Sequence, residues 1–316
     1  MELRCQGCKC CNIAYVPIKL CYSRGKTNRH TQGGMYLNTK SYGSTRRSSR
    51  NKLPILILGL AVLILFVIVA VGMFERHAPS TNIGAPAPAH VVRNITLVPE
   101  AVWGSFGVKN AATGLDVSPK GKPTFLYVGA DGCPYCAAER WPIIVALSRF
   151  GHFSGLTLMR SNATDVYPNT PTFSFFHARF SSPYIHVALV EADGRQKAPG
   201  GGGFYPPLMK LSASQTATFE KYDSPPYIPK NYAGAIPLVL VGGQYLWIGS
   251  TYSPGILDNK SWLQISQAVR AGKGVIGQNI LRNANALTAA ICAVDGRRPA
   301  NVCTQVGAVV PARSVT

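Results

Sequence analysis

Hydrophobic runs alternate with polar and glycine- or proline-rich segments along most of the chain. The longest run is Leu53–Phe74, 22 consecutive residues without an ionisable side chain. At about 1.5 Å of rise per residue, a helix of this length crosses a hydrocarbon layer of about 30 Å. Four Lys/Arg residues lie directly before it in 46–52, whereas Glu75 and Arg76 cancel after it. We therefore predict a single-pass cell-membrane protein with a cytoplasmic N-terminus and an extracytoplasmic domain.

Two other interpretations of the N-terminus stay open. Ala85-Pro86-Ala87 has the small-x-small pattern of a signal-peptide cleavage site, although Leu53–Phe74 is longer than the usual signal core of about 7–15 residues. Met35 is an alternative translation start, in which case residues 1–34 have no role in the protein.

Beyond the predicted membrane helix, residues 75–121 are rich in Ala, Pro and Gly and predict an extended linker. From about residue 122 the pattern changes to short apolar runs rich in β-formers, alternating with longer periodic segments. Gly242-Gly243 between two such runs predicts a β-hairpin, and Pro142 is expected to interrupt and kink the first helix. The predicted strands are 123–129, 156–159, 172–176, 184–191, 236–241 and 244–248, and the predicted helices are 137 to about 150, 258–271 with a cap at Asp258 or Asn259, and 276–294.

Composition separates a basic head from a globular remainder. The 316 residues are 47% hydrophobic and carry a formal charge of +19, and residues 1–52 hold eleven Lys/Arg against the single acid Glu2. The apolar content excludes general disorder. A basic head beside a membrane helix sets topology and attracts anionic lipid, so no nucleic-acid partner is expected. Cys5-x-x-Cys8 in the head suggests a zinc knuckle, but no second cysteine pair with regular spacing supports one.

The sequence Cys133-Pro134-Tyr135-Cys136 follows the first predicted strand and opens the first predicted helix. Unpaired N–H groups and the helix dipole favour the thiolate of Cys133, which is the reacting form of a thiol. Pro134 suits the first helical position because its missing N–H costs nothing there. Cys136 follows one turn later and can attack a mixed disulfide made by Cys133. This arrangement predicts a redox-active pair, with a structural disulfide or a metal clip as alternatives.

Around these residues the chain resembles the thioredoxin-like superfamily. PTFLYVGADGCPYC is similar to its first core strand and active-site turn, and Pro-Tyr between the cysteines is typical of glutaredoxins. AIPLVLVGGQYLWIG is similar to the cis-proline strand and its hairpin, and WLQISQAVRAG to the closing helix. The resemblance implies that Pro237 is the cis-proline and that Ile236, Pro237, Pro134 and Tyr135 contact the substrate peptide. The order of anchor, linker and domain most resembles the domain-of-unknown-function 929 family of membrane-anchored thioredoxin-like proteins.

The expected fold class is α/β, a thioredoxin-like fold with an insertion between the active-site helix and the cis-proline strand, preceded by one transmembrane helix. Gly132 departs from the usual Trp before the first cysteine. Pro171 is a second cis-proline candidate; if it is the right one, the domain is smaller and the C-terminal third is an appendage. The predicted divisions are a basic cytoplasmic tail at 1–52, the transmembrane helix at 53–74, the linker at 75–121, the domain at 122–275 with its insertion at about 165–230, and a C-terminal helix and tail at 276–316.

Cys292 and Cys303 are the other two cysteines of the exported part. Two thiols in an oxidising compartment usually pair, so a structural disulfide is expected. A relay that passes electrons to Cys133 and Cys136 is the alternative.

These observations predict an extracytoplasmic thiol–disulfide oxidoreductase that acts on protein thiols through Cys133 and Cys136. No cofactor and no resident metal are expected, and electrons pass to or from a partner, for example a membrane protein. One alternative is a non-catalytic thioredoxin-like binding module of the cell envelope. The other is a metallochaperone whose Cys-x-x-Cys pair holds a soft metal such as Cu(I).

Overall fold

The structure, a computed structural model, describes residues 82–104, 113–114, 123–198 and 205–306. The predicted tail and the predicted membrane helix at 53–74 lie outside these residues, as does part of the predicted linker. Within the described residues, no helix has both the length and the apolar character needed to cross a membrane.

A mixed five-stranded sheet forms the centre of the described residues, which confirms the predicted α/β class. Its strand order is β1-β9-β8-β2-β7. Strand β2 pairs in parallel with β7 and antiparallel with β8, and β8 and β9 form the hairpin predicted from Gly242-Gly243. The strands are β1 (Thr113–Gly114), β2 (Thr124–Ala130), β3 (His152–Ser154), β4 (Thr157–Arg160), β5 (Pro171–Ser174), β6 (Arg179–Ser181), β7 (His186–Asp193), β8 (Leu238–Val241) and β9 (Tyr245–Ile248).

Helices cover both faces of this sheet. The helices are α1 (Ala89–Thr96), α2 (Glu100–Trp103), α3 (Pro134–Leu147), α4 (Ala213–Tyr222), α5 (Trp262–Ala271), α6 (Gly274–Val294) and α7 (Ala300–Cys303). Phe125 and Tyr127 of β2 pack with the buried side chains of α1, α3, α5 and α6. Leu126 and Val128 face the other way and pack with residues of α4. Side chains of a strand alternate between faces, and a strand covered on both faces is apolar throughout.

The predicted insertion at about 165–230 contains one strand of the central sheet. Strand β7, within that range, is the parallel neighbour of β2 over its whole length. The segment between α3 and β7 instead forms two separate two-stranded sheets, β4 with β5 and β3 with β6. Apolar periodicity identifies a strand but does not say which strand it pairs with, which is why β7 falls within the predicted insertion although it pairs with β2.

Helix α3 begins and ends about three residues earlier than predicted, and it is more buried. It begins at Pro134 and continues through Pro142 to Leu147 without interruption. Pro142 has no N–H to donate to the carbonyl oxygen of Ala138, four residues earlier. The Tyr252 hydroxyl donates to that oxygen instead, at 2.7 Å, so the helix continues without leaving a buried acceptor unpaired.

Helix α5 begins later than predicted. Ser261 is the N-cap: its hydroxyl accepts from the Gln264 N–H, and the Gln264 side chain accepts from the Ser261 N–H. This reciprocal capping box fixes the start of the helix, so neither Asp258 nor Asn259 is the cap. The helix ends as predicted at Gly272, which adopts the left-handed conformation with φ of 63°.

Candidate active site

Strand β2 and helix α3 position the Cys-x-x-Cys pair. The strand ends at Ala130, two residues turn the chain, and Cys133 is the N-cap of α3 with extended φ and ψ of −75° and 124°. The Cys136 N–H lies 3.4 Å from Cys133 Sγ and donates to it. This contact is the sulfur equivalent of an N-cap hydrogen bond, because a first-turn N–H has no partner within the helix.

The two cysteines differ in exposure. Cys133 is half-buried and Cys136 is completely buried, and both are free thiols. Burial raises the pKa of the Cys136 thiol well above its ordinary value, and the adjacent Cys133 raises it further. The pair therefore has one thiol that solvent reaches and one that is held in the protonated form by its surroundings.

The backbone before Pro237 approaches the exposed thiol. Cys133 Sγ lies 3.9 Å from the carbonyl oxygen of Ile236, and Ile236 packs in the same buried cluster as Cys136. Of the two cis-proline candidates, Pro237 follows a cis peptide bond and Pro171 does not. Pro171 instead begins β5 and pairs with Arg160 of β4.

The turn before Cys133 is enclosed by two loops, one at Asn162 and one at Arg195, that were not among the predicted site residues. The carbonyl oxygen of Gly132 accepts from the Asn162 N–H at 2.8 Å, and the Asn162 side chain donates to the carbonyl oxygen of Arg195 at 3.0 Å. A Cβ placed on Gly132 would lie 2.8 Å from that Arg195 oxygen and 3.0 Å from the Tyr205 ring. A tryptophan therefore does not fit here, which accounts for the glycine.

Aromatic side chains stand beside the exposed thiol. The ring of Tyr135, between the two cysteines, contacts the ring of Tyr167 edge-to-face with centroids 5.7 Å apart. The Tyr167 hydroxyl in turn accepts from Ser253 Oγ at 3.4 Å. Val166, next to Tyr167, is one of the most exposed large apolar residues in the described part of the chain. The first turn of α3 thus makes an aromatic contact with the loop that carries the exposed Val166.

A buried ionic cluster joins α3, one turn after the cysteine pair, to the ends of β2 and β7. Arg140 and Glu191 are both completely buried, and the guanidinium donates to the two carboxylate oxygens at 2.8 and 2.6 Å. Arg140 also donates to the carbonyl oxygen of Ala130 at 2.7 Å. Asp131 lies 3.7 Å from the guanidinium and accepts from Ser174 Oγ. Burial and the Glu191 charge raise the pKa of Asp131 to about 7, against the opposing effect of Arg140.

Glu139 is a second buried carboxylate, on the turn of α3 that follows Cys136. Its Oε2 accepts from both the N–H and the hydroxyl of Thr251, at 2.9 and 2.7 Å. Its Oε1 is buried without a hydrogen-bond partner. Burial raises the pKa of Glu139 to about 7 in spite of the two Thr251 hydrogen bonds. Glu139 and its neighbour Arg140 are charged residues on a helix, yet both side chains are fully buried.

The remaining cysteines of the described residues lie apart from the pair. Cys292 and Cys303 are joined in a disulfide with Cα atoms 5.5 Å apart. Cys292, on α6, and Cys303, on α7, belong to the apolar cluster that contains Phe125 and Tyr127, whereas Cys136 belongs to the separate cluster that contains Leu126 and Val128. Among the described residues, no group of three His, Cys, Asp or Glu side chains is placed to hold a metal ion.

Of the sequence-predicted site residues, Cys133, Pro134, Tyr135, Cys136, Ile236 and Pro237 are brought together. Asn162, Tyr167, Arg195 and Glu191 are further neighbours of the site that were not predicted from the sequence. Local motifs give no signal for them, since they reach the pair through loops and a strand distant in sequence. The active-site turn before Cys133 was expected from the resemblance, but the charge environment of Asp131 was not.

Comparison with known proteins identifies one match. A search of curated proteins and a search of solved structures both returned no match. A family model described as a domain of unknown function, DUF929, matches residues 109–200. This range is under a third of the chain; it includes β2, α3 and β7 but not Pro237. Over these residues, which include Cys133 and Cys136, the chain is similar to the DUF929 family.

Proposed function

We propose that this protein is a thiol–disulfide oxidoreductase with a thioredoxin-like domain, acting on protein thiols through Cys133 and Cys136. The observation that supports the proposal most strongly is the asymmetry of the pair. Cys133 is half-exposed at the N-terminus of α3 and accepts the Cys136 N–H, whereas Cys136 is buried one turn later. Exposure suits a nucleophile that meets a protein substrate, and burial suits a thiol that reacts only with its neighbour.

In the reducing direction, the Cys133 thiolate attacks one sulfur of a client disulfide. That S–S bond breaks, a mixed disulfide forms at Cys133, and the other client sulfur leaves as a thiolate. The departing thiolate takes the proton from the Cys136 thiol, and the Cys136 thiolate then attacks Cys133 Sγ. The mixed disulfide breaks, and the client sulfur that was bound to Cys133 leaves as the second thiolate. The client gains two electrons and the pair becomes a disulfide; the oxidising direction is the reverse.

Residues around the pair have distinct roles in this scheme. The Cys136 N–H stabilises negative charge on Cys133 Sγ, since a backbone donor at a helix N-terminus favours an anion. Burial raises the pKa of Cys136, which keeps this thiol protonated in the reduced protein, and the client thiolate released when the mixed disulfide forms is the base that accepts its proton. Ile236, with its carbonyl oxygen 3.9 Å from Cys133 Sγ, lies where a client backbone would approach. Tyr135 and Tyr167 would contact apolar client side chains.

The proposed location is extracytoplasmic, with the protein held in the cell membrane by the helix predicted at 53–74. This placement follows from the sequence pattern alone. The pair needs a second protein to restore its redox state after each turnover, and a membrane-bound redox partner fits an anchored domain.

Trapping of mixed disulfides tests the proposal. Cys136→Ala in the full chain removes the resolving thiol, so clients should remain attached to Cys133 and appear as adducts on non-reducing gels of native membranes. The control variant Cys133→Ala/Cys136→Ala keeps the five cysteines of residues 1–52 and reports any adducts that they form. Equal adducts in the two variants would contradict the proposal. Unreactive thiols throughout would support a binding module, and metal retained on purification would support a metallochaperone.

A further inference from the structure

Three large apolar side chains stay exposed on one group of helices. Leu97 directly follows α1 and is 62% exposed, Val275 at the start of α6 is 58% exposed, and Leu263 on α5 is 40% exposed. Exposed apolar residues occur singly on most proteins, so their position relative to one another decides whether they form a surface.

Contacts between the helices bring these residues to one side. Arg270, in the last turn of α5, donates from Nη1 to the carbonyl oxygen of Leu97 at 2.9 Å. Helix α5 ends at Gly272 and α6 begins two residues later, so Val275 follows closely. Leu263 lies seven residues before Arg270, two helical turns along the same side of α5. Leu97, Leu263 and Val275 therefore border one continuous region.

The charges of this region have a single sign. Residues 82–99 and 259–294 contain no Asp or Glu. Arg93, Arg270 and Lys273 are exposed there, and none of the three forms an ion pair with another described residue. Glu100 is the nearest acidic residue along the chain. We call this region the apolar–cationic face; it comprises Arg93, Leu97, Leu263, Arg270, Lys273 and Val275.

We propose that the apolar–cationic face docks on an anionic lipid surface. Apolar side chains that insert at the headgroup level, flanked by Lys and Arg that attract anionic lipid, are the features of interfacial membrane binding. The short connection to the predicted membrane helix favours lipid as the binding partner of this face. Asn82, the first described residue, is eight residues after the predicted end of that helix at Phe74. Eight residues extend at most about 28 Å, so the bilayer is within reach. Docking would hold Cys133 in one orientation to the membrane.

Hydrogen exchange of the full chain in lipid nanodiscs tests this proposal. The reporters are the amides of Val275 and Ile276, which as first-turn residues of α6 have no helical acceptor. In discs of equal parts phosphatidylglycerol and phosphatidylcholine these amides should exchange more slowly than in pure phosphatidylcholine discs, and high salt should remove the difference. Equal exchange in the two kinds of disc would overturn the proposal, as would protection that requires another protein.

Matched variants separate docking from general effects. Arg270→Gln/Lys273→Gln should weaken docking about 25-fold, at about fivefold for each cation removed near an anionic surface. Val275→Ser should also weaken docking. Val166→Ser is the matched control and should leave docking unchanged, because Val166 is exposed to a similar extent (55% against 58% for Val275) but lies outside this face. Lys197→Gln/Lys230→Gln is the control for charge. An equal loss of lipid-dependent protection in the face variants and the control variants would overturn the proposal. Unchanged hydrogen exchange within α3 verifies that each variant is folded. Client trapping by Cys136→Ala does not depend on docking, so the two proposals fail separately.

Discussion

Replacing Glu139 by Gln should change how stability depends on pH. The Glu139 carboxyl is completely buried, and its pKa is raised from 4.5 to about 7 by that burial. Between these values the folded state keeps a proton that the unfolded state has lost. Stability therefore falls as pH rises through this window, and the loss is complete above the folded pKa. At about 1.4 kcal/mol per pKa unit, this group costs the wild type about 3 kcal/mol at pH 8 relative to pH 4.

Glutamine is neutral at every pH and keeps an oxygen that can accept both Thr251 hydrogen bonds. Its NH₂ group would take the place of Oε1, which has no partner, and the cost of burying that group is the same at all pH values. The free energy of unfolding of Glu139→Gln minus that of the wild type should therefore rise by about 3 kcal/mol from pH 4 to pH 8. The test is the change of this difference with pH. A constant difference in the free energy of unfolding, present at every pH, does not bear on the pKa of Glu139.

The assay is urea unfolding of the full chain in neutral detergent micelles, followed by fluorescence of its four tryptophans. Other buried acids contribute to both profiles and cancel in the difference. Glu100→Gln is the matched control, because Glu100 is solvent-exposed. Parallel profiles for Glu139→Gln and the wild type would refute the reasoning, and so would a steeper fall in the variant.

Three further predictions follow from buried contacts. Glu191→Gln leaves the Arg140 charge buried without a full partner and should cost about 3–5 kcal/mol in urea unfolding, whereas Glu191→Leu/Arg140→Met should be less damaging than the single change; equal damage from both would contradict this. Cys292→Ala/Cys303→Ala opens a short loop and should lower stability by about 3 kcal/mol, with no change in the reactivity of the other cysteine pair to an alkylating probe; altered reactivity would favour the relay. Gly132→Ala places a methyl group 2.8 Å from a backbone oxygen and should speed hydrogen exchange in the two enclosing loops. Unchanged exchange would show that the turn accommodates the methyl group and would contradict this prediction.

The elements predicted correctly are those that are determined by interactions between residues close together in the sequence. Strand β2, the start of α3 at the cysteine pair and the β8–β9 hairpin each depend on an apolar run and a nearby turn or cap, so the sequence indicates them directly. The end of α5 at Gly272 is another example, because a glycine in the left-handed conformation is a local requirement.

What the sequence did not predict depends on contacts between distant residues. Arg140 binds Glu191, which is 51 positions away in the sequence, and Glu139 binds Thr251, which is 112 positions away. Because these partners compensate the two charged side chains, α3 can be buried on all sides. Continuation of α3 through Pro142 depends on Tyr252, which replaces the missing donor from a distant loop. Periodicity reports which residues are apolar, but not which partner compensates a buried charge or a missing hydrogen bond.

The reduction potential of the cysteine pair tests the central claim most directly. The full chain in detergent micelles is equilibrated with glutathione buffers of different ratio, and mass spectrometry reports the state of each cysteine. The proposal predicts that Cys133 and Cys136 convert together, as one two-electron couple with a midpoint between about −270 and −120 mV, while Cys292 and Cys303 stay paired. Cysteines 133 and 136 that remain unreactive across the whole range, or that titrate independently of each other, would contradict it.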